Sequence, residues 1–377
     1  MNDTLTLRRV TARVFRCPLD QPVTTSFGIM RDRPMVMIEV EDDQGVRGWG
    51  EAWCNFPAVG AEHRARLVDS VLTPLLLGRT FRDPVEAFDH MTARTAVLAL
   101  QSAEPGPFAQ AIAGVDTALW DLAARRAGKP LWKQLNDSGG PTIGVYASGL
   151  NPDAPERLAG SKQQKGYRAF KLKVGFGSER DIVNLTTLRR TLGPDVQLMV
   201  DANQGWTVDQ ALDMLPKLEK FDLGWLEEPI RADVSWNEWQ RLKSATRIPL
   251  AGGENIAGAA DFERAFAANA LSVVQPDLAK WGGLSATLPV ARRIREVGLR
   301  FCPHYLGGGI GLLASAHLLA AVGGNGLLEI DANPNPLRSI IAVDLDDVQN
   351  GCVTLSARPG LGTEPDFSAL AGYLVPH

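Results

Sequence analysis

Residues 169–175 read AFKLKVG, a short apolar run that carries two lysines, Lys171 and Lys173. In a β-strand that spacing puts both ammonium groups on one face. A strand built this way aims two like charges at one point, and the run makes sense only as one member of a series. From about residue 142, apolar runs suited to strands recur: TIGVYASG (142–149), AFKLKVG (169–175), QLMVDAN (197–203), LGWLEEP (223–229), PLAGGE (249–254), SVVQPD (272–277), LRFCPH (299–304) and GLLEID (326–331). Between them lie helix-period stretches such as ERDIVNLTTLRRTLG, TVDQALDMLPKLEKF, DFERAFAANA and ATLPVARRIREVG, with Ser178, Thr207 and Asp261 as starting cap or turn residues. Successive strands begin roughly 22–28 residues apart, the length of one βα unit. Eight strands alternating with helices predict an α/β fold with a parallel barrel of the TIM type. An open doubly wound sheet would want a G-x-G-x-x-G turn after an early strand, and none occurs there.

The first 125 or so residues behave differently. Alternating strand-like segments (VTARVFRC, MVMIEVED, VRGWGEAW) turn at Asp42–Gly45, and two helical stretches follow, AEHRARLVDSVLTPLLLG and FAQAIAGVDTALWDLAARRAG. We expect an α+β domain over 1–127, capping a barrel over 128–351. The tail from about 352 to 377 begins as the strand-like CVTLSARPGLG, and it is expected to return to the first domain.

The bulk properties narrow the function classes. With 377 residues, 45% hydrophobic and 22% charged, the chain can bury a large core. A net charge of −4 leaves no basic footprint for nucleic acid. The N-terminus, MNDTLTLRRVTARVF, lacks the apolar core of a signal peptide. The most apolar stretch, Gly311–Leu328, contains His317, Asn325 and several glycines, and reads as a buried helix with its following loop, not a membrane span. Four scattered cysteines (Cys17, Cys54, Cys302, Cys352) with no CxxC suit a reducing cytoplasm, with neither a zinc cluster nor a disulfide framework. DLDDVQNG (344–351) lacks the glycine of an EF-hand loop and reads as a turn.

The chemistry lies at the ends of the strands. In order these are Lys171/Lys173, Asp201/Asn203, Glu227/Glu228, Glu254, Asp277, His304 and Glu329/Asp331. Any one acid there is as readily a helix cap. Seven strands in succession converge instead on the C-terminal mouth where such barrels carry their sites. Asp201, Glu227 and Glu254 end three consecutive strands about 5 Å apart. Their mutual repulsion calls for a divalent cation, and an all-oxygen set fits Mg²⁺, with Mn²⁺ as a substitute. Asp277 and His304 end adjacent strands, where a carboxylate on one imidazole nitrogen fixes the tautomer and raises the basicity of the other. Cys302, on the same face two residues earlier, reads as barrel filling. The paired lysines are then a tuning device, because an ammonium two residues away and a nearby cation bring a lysine from its usual pKa near 10.4 toward the useful range of about 7–8.

AGVDTALWDLAARRAGKPL (113–131), KLKVG (171–175), VDANQGW (200–206), EEP (227–229), GGEN (252–255), QPDLAKWGG (275–283), PHYLGG (303–308) and LLEID (327–331) together resemble the mandelate racemase/muconate lactonizing enzyme family of the enolase superfamily, over essentially the whole chain. The resemblance implies a (β/α)7β barrel with an N-terminal cap, and Mg²⁺ on Asp201, Glu227 and Glu254. It also implies Lys173 as a base, with Lys171 tuning it and contacting the substrate carboxylate. Glu329, as a proton donor, hydrogen-bonds the same carboxylate, and Asp277–His304 matches the mandelate racemase branch. Asn203, Asp331 and Thr25 join the substrate-binding set. The shared step is removal of the proton α to a carboxylate, giving an enediolate. If His304 then protonates a departing β-hydroxyl, the product is a 2-keto acid; if it returns a proton to carbon, the reaction is racemisation or epimerisation.

An acid-sugar dehydratase is the preferred reading. A racemase or epimerase of an α-hydroxy acid is the alternative, and a non-catalytic metal- or ligand-binding barrel is the third. The loops PVTTSFGIMRDRP (22–34) and WCNFPAVG (53–60) form a lid with Gly28 and Gly60 as hinges, and Thr24, Thr25, Ser26, Arg31 and Arg33 suit a polyhydroxy acid. Gly307–Gly309 and Gly311 open the seventh helix and permit a phosphorylated substrate. The expected partners are a small carboxylate substrate and further copies of the chain in a homo-oligomer, with no nucleic acid and no membrane, in the cytoplasm.

Overall fold

A computed structural model describes residues 4–25 and 28–377. Eight parallel strands form the barrel wall: β5 (Thr142–Leu150), β6 (Ala169–Lys173), β7 (Gln197–Asp201), β8 (Leu223–Glu227), β9 (Leu250–Gly252), β10 (Val273–Val274), β11 (Arg300–Phe301) and β12 (Leu327–Asp331). They pair in chain order from β5 to β11, and β12 closes back in parallel onto β5. Between β11 and β12 the ladder is replaced by the Leu327 N–H donating to Cys302 Sγ at 3.4 Å. Seven helices lie between the strands, from Pro155–Gln164 to Gly309–Val322. Thr207 caps its helix with a full capping box to Gln210. The helices nearest Ser178 and Asp261 start instead from Gly177 and Gly258.

Period-two alternation sorts each strand's residues. Tyr146, Ala169, Met199, Trp225, Ala251, Val273 and Cys302 fill the barrel interior, while Phe170, Leu172, Leu198, Val200 and Leu226 face the helices. Cys302 is a buried filler, its thiol pushed up to about 11 by burial. The helix Gly309–Val322 is buried throughout, as the apolar stretch around it suggests. No helix of the described residues is long and apolar enough to cross a membrane.

The first region is an antiparallel sheet of β1 (Leu5–Thr25), β2 (Gly28–Asp42) and β3 (Arg47–Ala52), with the short β4 (Thr80–Phe81) on β1. The helix Pro105–Arg126 lies so close on β3 that a Cβ at Gly50 would stand 1.9 Å from the Gly114 carbonyl oxygen. Only glycine permits that approach. The tail divides between the two regions. β13 (Cys352–Thr354) pairs antiparallel with barrel strand β5, which corrects the expectation that this strand returns to the first region. β14 (Leu374–Val375) pairs with β1 of the first sheet, and Glu364 and Phe367 contact Trp49 of β3.

Candidate active site

One layer above the apolar barrel floor, the same inward alternation brings up Ser148, Lys171, Asp201, Glu227, Gln275 and Glu329, each buried. Lys171 is 1% exposed, so the two lysines are not a solvated surface pair. Its ammonium lies 2.5 Å from Glu227 Oε1 and 2.8 Å from Glu329 Oε1, with the Tyr146 ring 5.3 Å away. Burial works against that charge, but Glu227 and Glu329 outweigh it and hold the Lys171 pKa well above its ordinary value. Lys171 is therefore a fixed cation. Lys173 Nζ donates to Asn203 Oδ1 and lies 3.6 Å from Asp201 Oδ2. Asn203 also donates its backbone and side-chain N–H groups to Asp201, at 2.7 and 2.9 Å.

Across the mouth, His304 Nδ1 stands 2.7 Å from Asp277 Oδ2, and the other Asp277 oxygen accepts the backbone N–H groups of Ala279 and Lys280. His304 Nε2 is 2.8 Å from Glu254 Oε2, and Lys280 lies on the opposite oxygen of Glu254, also at 2.8 Å. Burial disfavours the imidazolium, yet Glu254, Glu329 and Asp277 together raise its pKa well above the ordinary histidine value. Glu254, opposed by burial but paired with His304 and Lys280, is held well below the carboxylate range.

Asp201, Glu227 and Glu254 come from neighbouring strands, with Asp201 in register with Glu227, and Glu227 with Ala251. Their side chains do not yet form a closed shell: among the described residues, no three His, Cys, Asp or Glu groups are arranged to hold an ion. Each is turned toward a lysine, Lys173, Lys171 and Lys280 respectively. The donor set itself fits a hard divalent cation, being all oxygen and mutually repelling. Burial pushes Glu227 up to about 7 in spite of Lys171, with Asp201, Glu329 and Glu254 adding to the rise.

Several expectations change. Glu329, expected as a proton donor, is an ionised acceptor here. It takes hydrogen bonds from the Ser148 hydroxyl (2.5 Å) and the Tyr305 N–H (3.2 Å), and Lys171 and His304 outweigh burial to bring it down to about 2. Asp331 and Arg33, both expected to meet substrate, are spent on each other in a buried ion pair at 2.6 Å. The glycine-rich start of the helix Gly309–Val322, expected to leave room for a phosphate, is already filled by a carboxyl group, whose pKa burial raises. Glu51 of β3 accepts the N–H groups of Gly308 (2.6 Å) and Gly311 (2.9 Å). Arg31 is exposed, and Ser26 and the side chains of Thr24 and Thr25 lie outside the described residues.

The structure also adds residues the sequence reading left unassigned. Gln275 and Trp225 donate to Glu227 Oε2 at 2.5 and 3.0 Å, and Trp53 of the expected lid stands 5.0 Å over the Lys280 ammonium. Gln275 and Trp225 each sit two residues before a strand-end acid, a spacing that marks them as inward-facing. Glu51 and Lys280 carry no such signal.

The model described as Enolase C-terminal domain-like matches residues 154–369, and that of the mandelate racemase/muconate lactonizing enzyme N-terminal domain matches 9–135. A 3,6-anhydro-alpha-L-galactonate cycloisomerase of Streptomyces coelicolor is 33% identical, covering 98% of this chain and 99% of the relative. An arabinonate dehydratase of Saccharolobus solfataricus is 30% identical over 88% and 89%. Among solved structures, a mandelate racemase/muconate lactonizing enzyme from Bordetella bronchiseptica RB50 superposes with a TM-score of 0.93 at 57% identity, covering 98% and 99%. A racemase from Streptomyces coelicolor A3(2) with bound magnesium does so at 0.85 and 31%, covering 98% and 100%.

Proposed function

This chain belongs to the mandelate racemase/muconate lactonizing enzyme family of the enolase superfamily, and from that premise we propose that it is a Mg²⁺-dependent acid-sugar dehydratase. Its relatives are dehydratases, cycloisomerases and racemases, so the chain is an enolase-superfamily lyase or isomerase. The observation that supports α-proton chemistry is the placement of two proton-transfer groups of different kind on opposite sides of one charged mouth, Lys173 beside Asp201 and His304 beside Asp277. The acid-sugar dehydratases among the relatives favour β-elimination as the step that follows.

In this reading Asp201, Glu227 and Glu254 hold the divalent ion. When bound, it supplies Lewis-acid polarisation of the substrate carboxylate. Lys173, in its neutral form, takes the proton from the carbon next to that carboxylate. The fixed charge of Lys171 donates hydrogen bonds to the carboxylate oxygens as negative charge grows on them. Glu329, ionised between Lys171 and Ser148, orients that ammonium. Asp277 keeps a proton on His304 Nδ1, so that Nε2 gives its own proton to the β-hydroxyl, which leaves as water. The enol then becomes the 2-keto acid.

A second reading, cycloisomerisation, is favoured by the 33% identity to the anhydrogalactonate enzyme over nearly the full length of both chains. It uses the same two groups, but the departing β-oxygen belongs to a ring and stays attached.

The test is incubation with Mg²⁺ in D₂O against arabinonate, galactonate, galactarate and 3,6-anhydrogalactonate, followed by proton NMR. A 2-keto acid carrying deuterium at C3 establishes β-elimination, and the substrate consumed separates dehydration from ring opening. Deuterium at C2 with no loss of water and no ring opening makes the enzyme a racemase or epimerase. No exchange with any acid overturns the reading.

A further inference from the structure

The loops that carry the two halves of the Asp277–His304 pair are each fastened from outside the barrel. The loop after β10 runs from Asp277 into the helix Gly283–Glu296. At that helix start Asp116, fully buried in the first-region helix Pro105–Arg126, accepts the N–H groups of Leu284 (2.7 Å) and Ser285 (2.9 Å) and the Ser285 hydroxyl (2.5 Å). Trp120 of the same helix donates to Ser285 Oγ at 2.9 Å. A Cβ on Gly283 would stand 2.3 Å from Asp116 Oδ2, so the loop is cut to receive this carboxylate. The loop after β11 runs from His304 into the helix Gly309–Val322, where Glu51 takes the Gly308 and Gly311 N–H groups and Asn55 donates to the Leu306 carbonyl at 2.6 Å. A Cβ on Gly308 would stand 2.8 Å from Glu51 Oε1. The loop after the lysine strand β6 is closed differently, from within its own βα unit: Gly175 and Phe176 donate to Asp181.

We propose that Glu51 and Asp116 are positioning residues for the histidine side of the site. Each holds one loop of the Asp277–His304 pair in register with the other, while the loop of the lysine side is fastened from within its own βα unit among the described residues. The inference rests on the reading of His304 as a proton-transfer group, but not on which acid is the substrate. The two loops also meet directly, the His304 N–H donating to the Pro276 carbonyl at 3.2 Å, so the anchors set the placement of loops already joined beside the 2.7 Å contact. A displacement of about 1 Å at such a contact costs on the order of 10²-fold in rate.

The test is made on the full chain. The hydrogen-bonded Nδ1 proton of His304 is followed by proton NMR and assigned by its loss in H304N. Glu51→Gln and Asp116→Asn keep shape and replace one accepting oxygen with an NH₂ group that cannot accept the loop N–H groups. Each is expected to shift that resonance or abolish it, with a cooperative melt retained, whereas Asp181→Asn leaves it in place. Asn55→Ala and Trp120→Phe, which remove one bond each and leave both carboxyl groups, give smaller shifts in the same sense and decide the matter if either amide variant fails to fold. With any acid of the panel that exchanges its α-proton, transfer on the His304 side falls about 100-fold in E51Q and D116N, and transfer on the Lys173 side persists. A resonance unmoved in the folded variants, or equal loss on both sides, overturns the proposal. A shifted resonance with no exchange of any acid leaves it standing and overturns the dehydratase reading instead.

Discussion

The two sides of the barrel mouth reach the same point by different construction. On the lysine side, catalytic candidates grow directly out of the sheet: Lys171 and Lys173 are strand residues, and Lys173 is in register with Asp201 of the next strand. On the histidine side, β10 and β11 are only two residues long each, and Asp277 and His304 stand on loops beyond them. A strand fixes direction through its ladder, whereas a loop must be fixed by something it touches. Here the two loops hold each other through the His304 N–H on the Pro276 carbonyl, and the first region of the chain fastens both from outside.

Mutations can break this comparison or sharpen it. The largest effect is expected from K173A and H304N, each removing about 10²–10⁴-fold of proton transfer on its own face, measured as stereospecific deuterium incorporation. If either variant lowers both faces alike, the two-sided division is wrong. E329Q should cost about 10²–10³-fold on both faces, since Glu329 orients Lys171 beneath the substrate and also lies 3.8 Å from His304; a one-sided loss would assign it to one arm.

The smallest effect concerns two buried histidines on the same side. His304 is held charged by its acids. His317, in the helix below, accepts the Trp132 N–H at 3.0 Å and is pushed by burial down to about 4. A group whose folded pKa lies below its unfolded value of about 6.5 leaves the native state short of protons between those values. Stability is therefore lost as pH falls from about 6.5 to about 4, by up to about 3 kcal/mol. Melting curves of H317Q should show a shallower acid slope across that window, and an unchanged slope would remove His317 from the account.

This difference in construction also explains what could be read from the sequence. The lysine side and the three acids were legible because strand periodicity is local. Once AFKLKVG is a strand, both lysines share a face, and Asp201, Glu227 and Glu254 follow at the next three strand ends. The residues that hold the histidine side were not legible. Glu51 contacts a loop 257 positions away and Asp116 one 168 to 169 positions away, and an acid in a sheet or helix has no pattern that says what it caps. The same limit explains Arg33 and Glu329. Arg33 was read as a ligand for substrate because its partner Asp331 stands 298 positions away. The family resemblance implies Glu329 as a proton donor, and Lys171 and His304, which keep it ionised, come from other strands.

The Arg33–Asp331 pair has a consequence for engineering. Both charges are buried, and removing one partner of such a pair costs about 3–5 kcal/mol because the other is left unmatched in a dry place. A barrel expressed without its first region would lose the Arg33 partner of Asp331, and would open the starts of two helices that Glu51 and Asp116 now satisfy. Exchanging caps between relatives to alter specificity is therefore a transplant with fixed attachment points. A grafted first region must bring Arg33, Glu51 and Asp116 with it, and the loops facing the substrate are the parts free to differ.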